Sequence, residues 1–184
     1  MCQFSSEQHR QGELTEVGKQ LARLPLDPRL GRMLLEARER KVLGEVLIVV
    51  AGLSVMDVRE RPPEKESKAD EMHAAFEDPE SDFVSLLNIW HALREFRKDH
   101  RRWHRNQLRR FCERKFFSMR RIMEWDQVAR ELGRLVKEQY GKGPKPLPEE
   151  RREWGDFTEI HKSILAGMPR QIGFWDKEKR AYHG

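Results

Sequence analysis

A mainly α-helical fold is predicted by three features of the 184-residue sequence. Apolar residues recur three and four positions apart through most of the chain, which is the period of a helix with one buried face. Helix-start signals, a carboxylate or hydroxyl residue ahead of a proline or a polar turn, stand where those periodic stretches begin. From Gly141 to Pro148 three prolines and two glycines fall within eight residues, a density that no helix or central strand tolerates, and this sets a C-terminal piece apart from the helical part.

Taken in order, Leu14, Val17, Leu21 and Leu24 form one face of a short helix with Thr15 as its N-cap, ended by Pro25. Asp27-Pro28 opens a second helix, because the carboxylate accepts from orphan backbone N–H groups and the fixed φ of proline suits the first turn. Leu30, Met33, Leu34 and Ala37 are its buried stripe, Arg32, Glu36, Arg38, Glu39 and Arg40 face water, and Gly44 is expected to break it. Val46 to Val55 is apolar almost all round. Its β-branched residues also suit a buried strand, but helical neighbours and the lack of a partner strand assign it as a central core helix.

Arg61-Pro62-Pro63 interrupts the chain, and Glu64 to Phe76 follows as a polar surface helix with Ala69, Met72, Ala75 and Phe76 to bury. Asp78-Pro79 and Ser81 start the next, with Phe83, Leu86, Leu87, Trp90 and Leu93 on its apolar face. From Trp103 to Tyr140 the positions Leu108, Phe111, Cys112, Phe116, Met119, Ile122, Met123, Val128, Leu132, Leu135 and Val136 keep helical spacing through two helices or one broken helix. Beyond the proline run, Phe157, Ile160, Ile164 and Leu165 give one short helix. Gln171 to Tyr182 reads as an opening strand with no partner, hence as the start of a sheet domain cut short.

Net charge is +5, and its distribution is uneven. Twelve Lys/Arg face only three acids between Arg94 and Arg121, whereas ten Asp/Glu outnumber four Lys/Arg between Asp57 and Asp82. The two blocks either neutralise each other as packed helices or leave the basic one free for a polyanion. Two cysteines, Cys2 and Cys112, are too few for a disulfide framework and fit a reducing, cytoplasmic compartment. No apolar run approaches the length needed to span a bilayer, so no membrane partner is expected.

Catalytic chemistry is not visible. Gly141-Lys142-Gly143 is the nearest approach to a phosphate loop, but no Ser or Thr follows the lysine and the adjoining prolines lack the N–H groups that cradle phosphates. His100 and His104 share the spacing of zinc ligands without a third ligand, among repelling arginines. No catalytic residue, no metal site and no cofactor is therefore expected in this chain. The basic block remains. Arg109, Arg110, Arg114, Lys115, Arg120 and Arg121 are candidate phosphate contacts, with Arg61 a weaker one and Trp103 a candidate for base stacking, while Trp90 and Trp125 belong to apolar stripes.

The string from Leu14 to Met33, LTEVGKQLARLPLDPRLGRM, resembles the segment joining the winged-helix and ratchet regions of DEAH-box RNA helicases. Arg59-Glu-Arg-Pro62, Ser81-Asp-Phe-Val-Ser-Leu-Leu-Asn88 with Trp90, and Ile160-His161 through Leu165, Gly167 and Ile172-Gly173 keep the order of that family. Asp57 to Pro62 and the helix around Trp125 are most similar to its bacterial HrpA-type branch.

The resemblance implies the tail of a winged helix at 1–26, a helical ratchet domain at 27–140, a linker at 141–156 and the opening of an OB-type β-barrel at 157–184. It further implies that ATP and Mg²⁺ belong to RecA-like motor domains of a parent helicase, absent here, so that the chain is expected to be a fragment. Single-stranded RNA and those motor domains are the implied partners, with the region forming a basic wall of the RNA channel. The rival expectation is a helical module that packs on the motor domains, or on another partner, without touching RNA.

Overall fold

A computed structural model describes residues 14–24, 26–100, 105–145, 147, 157–176 and 178–183; for 98–100, 174, 182 and 183 only the backbone is described. Among these residues are helices α1 (Glu16–Leu21), α2 (Pro28–Glu39), α3 (Leu43–Leu53), α4 (Glu66–Ala74), α5 (Asp82–His100), α6 (Arg105–Lys115), α7 (Met119–Tyr140) and α8 (Phe157–Leu165). A 3-10 turn at Pro63–Lys65 leads into α4, and strands β1 (Phe174–Asp176) and β2 (Ala181–His183) follow α8. The chain is mainly helical.

The start signals act as expected. Thr15 Oγ1 accepts from Gly18 N at 3.0 Å, Asp27 Oδ1 from Arg29 N at 2.8 Å, and Ser81 Oγ from Val84 N at 3.2 Å. Each side chain satisfies a donor that the first helical turn leaves without a backbone partner.

Helix α3 is the hub. Every residue from Gly44 to Ala51 is buried, and α2, α5, α7 and α8 pack around it. From α7 the Trp125 indole is fully buried, donates through Nε1 to Ile48 O at 3.0 Å and meets the Trp90 ring at a centroid distance of 5.1 Å. Gly52 makes room for it, since a Cβ there would stand 3.2 Å from the indole. Trp125 is thus a core residue and Trp90, half-buried, packs against the core, in line with their place in apolar stripes.

Gly44 does not break the second helix. The break falls earlier, at Lys41, whose φ of 65° turns the chain between α2 and α3. Gly44 lies inside α3 because backbone passes close over it: a Cβ would come within 2.8 Å of Lys145 O. Lys145 and Leu147 thus lie on the bundle at this point, with Leu147 packed on the core and its carbonyl accepting from Arg94 Nη1 at 2.8 Å.

Phe116 does not continue the apolar stripe. It adopts φ 54° and separates α6 from α7, so the long periodic segment is two helices, and Phe117 is the ring that becomes buried. Met123 is exposed, and so are Leu14 and Val17, because spacing marks a face without saying whether a neighbour covers it. On α4 the buried residues are Ala69 and His73, with Phe76 beyond, whereas Ala75 is exposed.

Ile160 and Ile164 of α8 join the same buried cluster as α2 and α3. The segment read as a strand without a partner is a hairpin that supplies its own: Phe174 pairs with His183, Trp175 with Tyr182 and Asp176 with Ala181, antiparallel. Asp176 Oδ1 shapes the turn by accepting from Glu178 N and Lys179 N at 2.9 and 3.1 Å. No described helix is long and apolar enough to cross a membrane.

Replacing Trp125 by Ala is expected to lower stability by about 3–5 kcal/mol, from lost burial and the cavity left against α3. Met123→Ala, two residues away but exposed, is expected to stay within about 0.5 kcal/mol of the parent chain. Urea unfolding of both variants checks the pair.

Candidate nucleic-acid interface

Helix α6 turns Leu108 and Cys112 into the core, which leaves Arg110 and Arg114 one turn apart on an outer face. The 3-10 turn and α4 run beside that face and present Lys65 and Lys68 toward it. Between them lies a cavity of about 950 Å³, lined by these four cations together with Gln107, Glu113, Phe96 and Phe116. Among the described residues four positive groups thus face one carboxylate. Among the described residues neither Arg110 nor Arg114 makes an ion pair.

The packing that creates this cavity depends on the α6–α7 turn. Phe116 O accepts from Glu60 N at 2.8 Å and from His73 Nε2 at 3.1 Å, and Ser118 N donates to Val58 O at 2.8 Å. A carbonyl only accepts, so Nε2 of His73 carries the proton. The His73 ring stacks on Phe117 with centroids 5.6 Å apart and planes within 5°. These contacts bind the chain from Val58 to α4 against the end of α6, an arrangement the spacing of apolar residues does not reveal.

Of the basic residues singled out in the sequence, Arg110 and Arg114 come together in the cavity, and the other five do not line it. Arg109 is exposed and loosely opposite Glu113 at 3.7 Å; Arg120 is exposed and 3.9 Å from Glu124. Arg121 Nη1 donates to Asp57 O at 2.8 Å, and the Lys115 ammonium stands 5.5 Å above the Phe76 ring. Arg61 forms a two-bond fork with Asp70, both at 2.7 Å; this hydrogen bonding, with the charge attraction, raises the Arg61 pKa and lowers that of Asp70. Trp103 lies outside the described residues, as does His104.

Lys65 and Lys68 were missed because they sit inside the acidic block. Their spacing of three shows that they share a helical face, but nothing in the sequence says which helix that face meets. Among the described residues no ion pair joins the two blocks: Arg59 and Arg61 pair within the acidic block, Arg109 and Arg120 within their own helices, and Arg97 with the buried Asp126 of α7 at 2.6 Å.

A second, apolar cavity of about 480 Å³ lies between α5 and α8, lined by Phe83, Phe157, His161, Leu165 and Met168 among others. At its edge His161 Nδ1 donates to Phe157 O at 2.7 Å, which fixes the tautomer, and Nε2 faces Ser81 Oγ at 2.7 Å. A nucleophile and its base make such a pair. Here, however, the same hydroxyl is buried and caps α5, so the pair ties the start of α5 to α8. Among the described residues no group of three His, Cys, Asp or Glu side chains is placed to hold a metal ion. Burial, and secondarily the charge of Glu60, pushes the Cys112 thiol up to about 12, so it is unreactive near neutrality.

A family model described as "Helicase associated domain (HA2), ratchet-like" matches residues 27–118, half of the chain. The chain belongs to this family. It is 39% identical to the ATP-dependent RNA helicase HrpA homolog of Haemophilus influenzae over 184 residues, covering 98% of this chain. It is 38% identical to the ATP-dependent RNA helicase HrpA of Escherichia coli over 180 residues, again covering 98% of this chain. In both cases it spans 13% of the relative's length. The similarity to the HrpA-type branch, first carried by the motifs at Leu14–Met33 and Asp57–Pro62, thus extends along almost the whole sequence.

Cys112 gives a test of the packing under the cleft. In a Cys2→Ser variant, alkylation of the native chain at pH 8.5 is expected to be slow and to become fast only on unfolding. Because the folded pKa of about 12 lies above the ordinary value of 9.0, this thiol's stabilising contribution is complete below pH 9 and is lost as pH rises toward 12. Denaturation midpoints across that range, compared with a Cys112→Ala variant, measure it.

Proposed function

We propose that this region is the accessory, nucleic-acid-facing part of an ATP-dependent RNA helicase, and that its cleft forms a basic wall along the path of single-stranded RNA. The observation that carries this reading is the convergence of Lys65, Lys68, Arg110 and Arg114, from the 3-10 turn, α4 and α6, on one cavity. Arginines one turn apart on a rigid helix lie about 6 Å apart along its axis, suited to neighbouring phosphates. Contacts of this kind give affinity with little sequence preference that weakens as salt rises.

Arg109 and Arg120, exposed and only loosely paired, are secondary contacts in this reading. Arg61, Lys115 and Arg121 rank lower because each is already engaged within the chain. ATP and Mg²⁺ would be handled by RecA-like motor domains of the parent protein, whose activity the names of the two relatives describe. In the same reading residues 1–26 end a winged helix, 27–140 form the ratchet, 141–156 link it onward, and the hairpin of β1 and β2 opens an OB-type barrel.

A second reading, packing on the motor domains without RNA contact, is favoured by the apolar cavity between α5 and α8. Charge reversal of Arg110 and Arg114 separates the two: lost RNA affinity at unchanged thermal stability supports the first, and RNA affinity that is absent in the parent chain or unchanged by the reversal supports the second. With the milder Arg110→Gln, Arg114→Gln pair, the dependence of log affinity on log salt for single-stranded RNA is expected to become shallower by about 1.4. An unchanged slope in a salt titration removes both arginines from the interface.

A further inference from the structure

Three helices end on the same left-handed backbone with different residues. Helix α7 closes on Gly141 at φ 72°, the residue type that adopts this conformation without steric cost. Beyond α6 the position is filled by Phe116 at φ 54°, where a bulky ring is uncommon and strained. Lys41 takes φ 65° after α2 with a flexible, unbranched chain. At Phe116 the strain is held in place from outside, by the two hydrogen bonds that its carbonyl accepts from Glu60 and His73. Strained positions held in this way concentrate at functional sites.

The effect of the strain is to keep the Phe116 ring in the wall of the basic cavity, half-buried, with Phe96 also lining it. Behind this wall Phe96 packs on Phe111 at 4.9 Å, Phe111 on Phe117 at 6.3 Å and Phe117 against Phe76 at 5.3 Å, so the Phe96 ring rests on a layer of packed aromatic rings. A phosphate site needs cations and N–H donors but no aromatic surface. The cavity, about 950 Å³, is large enough for a whole small molecule rather than a phosphate alone. Gln107 and Glu113 add a donor and acceptors suited to the edge of a base.

We propose that this cavity captures an unstacked nucleobase of single-stranded RNA against the Phe116 ring, while Lys65, Lys68, Arg110 and Arg114 hold the flanking phosphates. The inference rests on the RNA-facing reading above and adds the base as a recognised group, with Phe116 as the stacking residue. A duplex keeps its bases stacked and is a poor ligand for such a site. An acidic peptide satisfies the cations but offers no flat surface to the ring.

The test uses the 184-residue chain and fluorescence anisotropy with a 12-nucleotide oligouridylate, the same length of abasic ribose-phosphate strand, an RNA hairpin duplex and a poly-glutamate peptide. The oligouridylate is expected to bind about 5- to 100-fold more tightly than the abasic strand. Phe116→Leu is expected to abolish that preference while abasic affinity and the salt slope stay unchanged, and Phe116→Tyr to restore it. Phe116→Gly, which relieves the left-handed backbone, is expected to lose the preference as well and serves should the leucine variant fail to fold.

Equal binding of oligouridylate and abasic strand by the unaltered chain overturns base capture and leaves the electrostatic reading standing, whereas binding of neither overturns both. A preference that survives Phe116→Leu, or poly-glutamate or duplex binding as tight as oligouridylate, also overturns the proposal.

Discussion

Helix α3 has no side that tolerates water, and the rest of the fold is arranged to meet that demand. Val46, Leu47, Ile48, Val49 and Val50 are all buried. At about 1.5–3 kcal/mol for each large aliphatic side chain, their burial alone is on the order of 10 kcal/mol, an upper estimate that still matches the whole net stability of an ordinary domain. Four helices are needed to cover such a cylinder, and α2, α5, α7 and α8 provide the cover. Close approaches follow from that requirement: Gly52 admits the Trp125 indole, and Gly44 admits the backbone at Lys145. The many surface ion pairs, such as Arg38 with Glu39 or Arg134 with Glu138, decorate this arrangement and do not create it.

The cleft is a consequence of what the hub leaves outside. Helices α4 and α6 make no substantial contact with α3. They are held to one another, and to the strand-like passage at Val58 to Glu60, by the hydrogen bonds around Phe116 and by the rings of His73, Phe117 and Phe76, the first two stacked and the third tilted. With their apolar faces committed to those rings and to the core, their charged faces are left opposite each other. Like charge then accumulates in one concavity, where low-dielectric walls strengthen its field toward an anion. The ratchet-like helicase-associated family match at residues 27–118 takes in the hub helix α3 and both helices, α4 and α6, that frame the cleft.

The chain spans 13% of the length of each of the two relatives. Phe157 and Leu165 belong to the stripe that the sequence marks on α8, yet they line an open apolar cavity while Ile160 and Ile164 are buried. One helix thus has one apolar stripe with two environments, which periodicity alone cannot resolve.

By itself the sequence determined whatever depends on near neighbours in the chain. The spacing of Leu30, Met33, Leu34 and Ala37, the caps at Thr15, Asp27 and Ser81, and the nearly all-round apolarity of Val46 to Val55 fix where helices lie, because helix formation and capping act within a few residues. The motifs likewise led to the family. Tertiary structure alone decided that Gly44 marks a close approach and not a break, that Phe116 is a strained turn residue, and that the last residues pair with each other as a hairpin. It also decided that Lys65 and Lys68 of an acidic block share a cavity with Arg110 and Arg114. Each of these depends on which faces meet across tens of residues, a choice made by the burial of α3 and by the hydrogen bonds of the α6–α7 turn, neither of which leaves a periodic trace in the sequence.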